Sequence, residues 1–329
     1  MNGDAGTTQI TTPFDSAQRD LEILVGFDGS DHALSALHFA AVEAMNRNVG
    51  LTVVTAFTVP VMIYPNMASL PAKPEDEFRQ EIAEKTLDAA REYLKEYPGK
   101  VSFATVQGDA TGALVDLSTR AKLVVVGARG RGGFLGRILG SVASALPAHA
   151  HCPTIVVPSD YEPGQAEGVK RFTSPQSDSP VLAAIDGSDK SHLVLLAAAQ
   201  QAEHRGAPLK VFAAMPLLGE WMYWYPEIHA DEGSIEKRRA HLQQSIDEGL
   251  AWLRDDHHSL DITLEVTVGD PIALIEDKTR ASALTVVGTR GRGAVRSALL
   301  GSISRGVLNH AEGPVMVVPT AAEDDSREQ

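Results

Sequence analysis

With 329 residues, 43% of them hydrophobic and 22% charged, the chain has the length of two ordinary domains and the composition of a globular protein. Its formal net charge of −14 repels nucleic-acid phosphates and anionic membrane faces, so any anionic ligand must be held by a local site. The single cysteine, Cys152, excludes an intrachain disulfide and a thiolate metal cluster, which fits a reducing compartment, and the expected location is the cytoplasm.

Residues 1–20 are polar, lack a basic start followed by an apolar run, and read as a solvated tail rather than a signal peptide. No stretch approaches a transmembrane span, and neither a membrane nor a nucleic acid is an expected partner. From Leu21 on, short β-branched runs alternate with longer amphipathic segments. Strands are predicted near 22–27, 51–58, 101–107, 122–127 and 154–158, with helices after Asp31, Glu75, Thr111 and Ser141. Phe78, Ile82, Leu87 and Leu94 are spaced to line one face of the second helix. Residues 161–178 are polar, rich in Gly and Pro and without periodicity, as a linker is. The pattern then starts again, with strands predicted near 181–186, 209–215, 262–268, 283–288 and 314–318, and with Ile235, Leu242, Ile246, Leu250 and Leu253 on one helical face. An acidic tail, 321–329, follows.

The restart is a true internal repeat. Val25–Leu37, VGFDGSDHALSAL, is echoed by AIDGSDKSHLVLL from Ala184, and Asp28 and Asp186 stand 158 residues apart. VVVGARGRGGFLGRILGS, ending at Ser141, is echoed 161 residues later by TVVGTRGRGAVRSALLGS, ending at Ser302. The chain therefore divides into one α/β domain at 21–160 and a second at 179–320. Alternating strands and helices predict a doubly wound, mostly parallel sheet in each, because crossovers between parallel strands are right-handed.

Ligands in such sheets bind beyond the carboxyl ends of the strands. After the fourth strand comes Gly127, then Gly130, nine residues, and Gly140-Ser141; the second copy has Gly288, Gly291 and Gly301-Ser302. Glycines let the backbone turn sharply and let a ligand approach the main chain, and a serine at a helix start places a hydroxyl beside free N–H groups and a positive dipole end. The same residues also serve as turn glycines and helix caps, and the two roles are open at this stage. Arg129, Arg131, Arg290 and Arg292 lie within these loops, either neutralising phosphate or solvated.

On this G-x2-G-x9-G-S spacing, present twice, the chain resembles a tandem universal stress protein of the ATP-binding subgroup. The resemblance implies five-stranded parallel sheets of order 3-2-1-4-5 that pair through their last strands, an internal pseudo-dimer with a homodimer also possible, and one ATP per domain with Mg²⁺. It implies a regulatory role in stress survival, exercised through protein partners not identified by the sequence, and not an enzyme. Position by position it places Asp28 and Asp186 beside the adenosine, Phe57 and Met215 at the adenine, Gly108-Asp109 and Gly269-Asp270 before the third helix of each copy, and the glycine loops with Ser141 and Ser302 at ribose and phosphates. Asp28 and Asp186 are also good helix caps, and Phe57 and Met215 are also good core residues.

The two copies are not identical. Pro147 falls inside the helix after Ser141, where it removes a donor, whereas the second copy has Gly306; the second site is expected to be the tighter. Trp221, Met222, Tyr223, Trp224, Tyr225 and Pro226 form an aromatic insertion where the first copy has Tyr64–Met67, suited to packing, to a lid or to an interface. The histidine pairs His149/His151 and His257/His258 lack a third ligand at a metal-site spacing. GxxxxGK[ST], G-x-S-x-G and His-Glu-x-x-His are all missing, which favours a binder over a dedicated enzyme and leaves slow hydrolysis as the alternative, with a protein-interaction scaffold as the third reading.

Overall fold

The computed structural model describes residues 12–60, 73–131, 139–164, 166–173, 178–216, 232–291 and 300–320. The aromatic insertion at 221–226, Tyr64–Met67, Arg292 and the acidic tail lie outside these residues. The first half runs β1 (Glu22–Gly26), α1 (Asp31–Arg47), β2 (Leu51–Phe57), α2 (Glu75–Tyr93), β3 (Val101–Gln107), α3 (Ala110–Ser118), β4 (Ala121–Gly127), α4 (Ser141–His149) and β5 (Thr154–Val157). The second runs β6 (Val181–Ile185), α5 (Ser191–Arg205), β7 (Leu209–Met215), α6 (Glu232–Gly249), α7 (Ala251–Asp256), β8 (Ile262–Val268), α8 (Pro271–Thr279), β9 (Leu284–Gly288), α9 (Ser302–His310) and β10 (Val315–Val318). All ten predicted strands form, with ends within one or two residues of the expected ones.

The strands make one ten-stranded sheet in the order β3-β2-β1-β4-β5-β10-β9-β6-β7-β8. Each half has the order 3-2-1-4-5 and is parallel throughout; the halves join where β5 and β10 pair antiparallel, Val156 opposite Val315 and Ile155 opposite Met316. The central strands are covered on both faces, which is why their sequences are continuous apolar runs such as Leu123–Val126, all buried.

The two copies also meet through helices, in an ion cluster that the repeat does not conserve. Glu43 of α1, 1% exposed, accepts from Arg47 at 2.7 Å and from Arg205 of α5 at 2.5 Å. At the repeat offset of 158, Arg47 corresponds to Arg205 and Glu43 to Gln201, so two arginines share one carboxylate and one amide. Burial alone would raise the Glu43 pKa, but the two guanidiniums outweigh it and hold the carboxyl at about 2.

Three expectations about chain segments change in the structure. Residues 12–20, read as tail, are packed: Phe14 is buried, Arg19 lies 5.7 Å over its ring, and the Arg19 guanidinium donates to the carbonyls of Ser118, Ala121 and His151. Within the linker, Gly168–Phe172 forms a 3₁₀ turn that plugs Phe172, 0% exposed, against His38, Tyr93 and Tyr97, with Arg171 over Tyr93. On α2, Leu87 and Leu94 are buried as expected, but Phe78 and Ile82 are exposed; burial on this helix begins at Ala83, where the sheet lies beneath it. In the second copy the corresponding face is divided between α6 and α7, with Ile246, Leu250 and Leu253 buried.

Candidate functional site

At the carboxyl edge of each half lies a cavity, of about 510 Å³ in the first and about 620 Å³ in the second. The first is walled by Asp28 after β1, Val54 and Ala56 of β2, and Gly127, Arg129, Gly130, Gly140 and Ser141 around the loop between β4 and α4. The second is walled by Asp186, Met215, Gly288, Arg290, Gly291, Gly301 and Ser302. The two copies of the glycine-serine pattern thus each converge on one cavity with the aspartate that closes the first strand.

Phe57 is not in the wall of the first cavity. Val54 and Ala56 supply that wall from β2, whereas in the second copy Met215, the counterpart of Phe57, lines its cavity beside Ala214. Its carbonyl instead accepts from Gly108 N–H at 2.8 Å, as Met215 accepts from Gly269 at 3.0 Å. Gly108, Asp109, Gly269 and Asp270 also stand outside the two walls. Asp109 and Asp270 are helix N-caps, accepting from Gly112 and Ala273 at 2.9 Å, while their neighbours Ala110 and Pro271 reach the cavities.

Each loop glycine has its own reason. A Cβ on Gly130 would stand 2.5 Å from Oδ2 of Asp28, and one on Gly291 2.7 Å from Oδ2 of Asp186, so the second glycine of the pattern makes room for the aspartate. A Cβ on Gly127 would meet the His32 carbonyl oxygen of α1 at 2.7 Å, and one on Gly288 would meet Thr320 at 2.9 Å and Val194 of α5 at 3.2 Å. Gly140 and Gly301 are looser, with nearest atoms at 3.4 Å. Asp28 is the knot of the first site: Oδ1 accepts from the Ser30 N–H at 3.0 Å and hydroxyl at 2.6 Å, and Oδ2 accepts from Arg131 N–H at 2.9 Å. Asp186 accepts at Oδ1 from Ser188 and from the Ser191 hydroxyl at 3.1 Å.

The strongest polar feature of both cavities is a helix end. Gly140 and Gly301 are the N-caps of α4 and α9 and have no side chain to cap with; their own N–H groups are used by Ala128 and Thr289. The first main-chain bonds of these helices run from Ser144 to Gly140 and from Arg305 to Gly301. The N–H groups of Ser141, Val142 and Ala143, and of Ser302, Ile303 and Ser304, therefore have no acceptor within their helix, and all six residues line the cavities. Three N–H donors at a positive helix end, next to an arginine, are the chemistry that suits an anion. Helix α4 continues through Pro147 to His149 and is nine residues long, the same length as α9.

The second loop carries an additional tie. Thr289 and Thr320 exchange hydroxyl and main-chain hydrogen bonds at 3.0 Å, and Arg290 N–H donates to Thr320 at 3.2 Å. Position 128 of the first copy is alanine and has no hydroxyl to offer. Among the described residues no group of three or more His, Cys, Asp or Glu forms a metal site, and no helix is long and apolar enough to cross a membrane. Sequence reasoning missed Val54, Ala56, Leu114, Lys190, Ser191 and Ser304 as wall residues; the alternation along β2 and the repeat of the α1 start in α5 were the available signals.

These paired units, with a glycine loop leading into a helix start in each, define a tandem doubly wound α/β fold. The sequence profile of the universal stress protein family matches residues 22–158 and again 179–319, and the chain belongs to that family. It is similar to two universal stress proteins of Mycobacterium tuberculosis. Rv2005c is 32% identical over 298 residues, 90% of this chain and 96% of the relative. Rv2623 is 31% identical over 307 residues, 92% and 97% of the two chains. The fold is also that of a universal stress protein from Archaeoglobus fulgidus, with TM-score 0.61 at 16% identity over 92% of this chain and 97% of that one.

Proposed function

We propose that each half binds one ATP in its cavity, the phosphates on the N-terminus of α4 or α9 and the nucleoside toward Asp28 or Asp186 and β2 or β7, and that occupancy regulates protein partners in a stress response. The reading rests on one observation above the others: in both copies the three N–H groups of a helix end that have no acceptor within their helix belong to residues lining a cavity large enough for a nucleotide. Arg129 and Arg290 stand in the same walls and supply positive charge in an acidic protein. Mg²⁺ belongs to the ligand, bridging its phosphates, and the cytoplasm supplies both.

A binder rather than an enzyme fits the state of Asp28, whose two carboxylate oxygens are already engaged by Ser30 and Arg131 and are not presented as a base. Calorimetric titration with Mg-ATP, with mass spectrometry of gently purified protein, tests the proposal. Two sites per chain are expected. Gly130→Ala and Gly291→Ala, which drive a Cβ into the Asp28 and Asp186 carboxylates, are expected to weaken ATP binding at least about tenfold, whereas Gly140→Ala and Gly301→Ala, where the space is ordinary, change it by less than about threefold. Absence of bound and titrated ATP in the unaltered protein refutes the reading.

A further inference from the structure

The second cavity has a cation that the glycine-serine pattern does not contain. In the first copy, α1 begins at Asp31, and its N-cap Ser30 accepts from Ala33 N–H at 3.2 Å, so that helix end is closed by its own side chain. In the second copy the helix starts two positions later, at Ser191; Ser188 bonds Asp186 as Ser30 bonds Asp28, and Ser191 adds to that aspartate a hydroxyl that its counterpart Ala33 lacks. The N-cap is now Lys190, in αR conformation and without a side-chain capping bond. Lys190, Ser191 and Val194, all from the start of α5, line the cavity together with Arg290 and Ser302. His32, the first-copy counterpart of Lys190, is not part of its cavity wall.

This helix start lies against the phosphate loop. In the first copy a Cβ on the leading loop glycine would touch the main chain of His32, and in the second it would touch Val194. Lys190 is exposed and forms no ion pair among the described residues, while Nε of Arg290, in the same wall, is buried without a partner. The wall thus has two cationic side chains with donor capacity left over beside the α9 start; at the α5 start the Ser191 and His192 N–H groups are taken by the Ser188 and Asp189 carbonyls, so what that helix start adds to the wall is the Lys190 side chain.

We propose that Lys190 is a specificity-determining residue of the second cavity, which makes that cavity selective for nucleoside polyphosphates over monophosphates. The proposal rests on the nucleotide reading above. A compact ammonium at the far side of the loop reaches charge that only the outer phosphates carry, while the α9 start holds the inner one. The first cavity has its second cation, Arg131, on the glycine loop with its guanidinium donating to Thr86, and none at the α1 start, and so discriminates less by phosphate number.

The test is calorimetric titration of the full chain with Mg-ATP and, separately, AMP, carried out in a Gly130→Ala background so that the second cavity dominates. Lys190→Met is expected to weaken ATP binding about tenfold and AMP binding less than about twofold, and Lys190→Arg is expected to retain most of the ATP preference. Because Lys190 is exposed and unpaired, an unchanged urea midpoint is the control for folding. Equal ATP affinity in Lys190→Met and its parent overturns the inference and leaves the nucleotide reading standing, and so does an equal loss for ATP and AMP. No ATP binding by the unaltered chain overturns the reading itself, an outcome separate from both.

Discussion

Replacing Glu43 by glutamine keeps the shape of the cluster between α1 and α5 and removes its only carboxylate. Two guanidiniums, Arg47 and Arg205, then face each other with two amides between them; Arg205 is 8% exposed and Arg47 12%, so water screens them poorly. Removing one partner of a buried pair costs about 3–5 kcal/mol. The pKa gives a second route to the figure: a carboxyl at about 2 in the folded chain and near its ordinary 4.5 when unfolded corresponds to about 3 kcal/mol at about 1.4 kcal/mol per pH unit. Because the folded value is the lower one, this stability is present above about pH 4.5 and is lost as pH falls toward 2. Urea unfolding at pH 7, followed by far-UV circular dichroism, is expected to show Glu43→Gln less stable by about 3 kcal/mol, with a flattened acid limb. The repeat supplies a sharper control. Glu43→Gln combined with Gln201→Glu moves the carboxylate to the matching position on α5, beside Arg205, and is expected to recover much of the loss. A cost below about 1 kcal/mol for the single variant, or no recovery in the swap, refutes the account of the cluster as a shared ion pair.

Two further predictions concern the aromatic seat beneath the 3₁₀ turn. Burial, helped by the charge of Arg171, holds His38 neutral with a pKa of about 4, and Tyr93 hydroxyl bonds its Nδ1 at 2.9 Å. The unfolded chain takes the proton first, so this contribution is whole above about pH 6.5 and falls by about 1.4 kcal/mol per unit down to about pH 4. His38→Gln is expected to flatten the stability profile in that window, above the range governed by Glu43; an identical profile disproves the assignment. Phe172→Ala empties a fully buried site and is expected to cost about 3–5 kcal/mol by urea unfolding; a change under about 1 kcal/mol would show that the turn carries no packing load.

The elements were legible because their information is local. A run such as Leu123–Val126 says strand and buried at once, and the repeat at 158 and 161 residues fixed two units of the same topology. The glycine-serine pattern located both cavities, but not what each glycine does: that Gly130 spares Asp28 and Gly127 spares α1 depends on elements about 100 residues away in the chain. Alternation along the strand does not decide the last residue of β2, since Met215 lines the second wall while its counterpart Phe57 does not line the first. Phe172 and Arg19 were read as linker and tail because single anchors have no period; only the aromatic seat and the carbonyls of Ser118 and Ala121 give them a place. The exchange of Glu43 for Gln201 is visible in the aligned repeat but acquires meaning only when α1 meets α5.

The antiparallel seam between β5 and β10 reverses the direction of the sheet at its middle. Strand ends that point one way in the first half point the other way in the second, so the two cavities open on opposite edges of one continuous sheet. Under the proposed function, a partner resting on one edge would meet one ligand alone, and any agreement between the two sites would have to cross the junction where Glu43 and Arg205 meet.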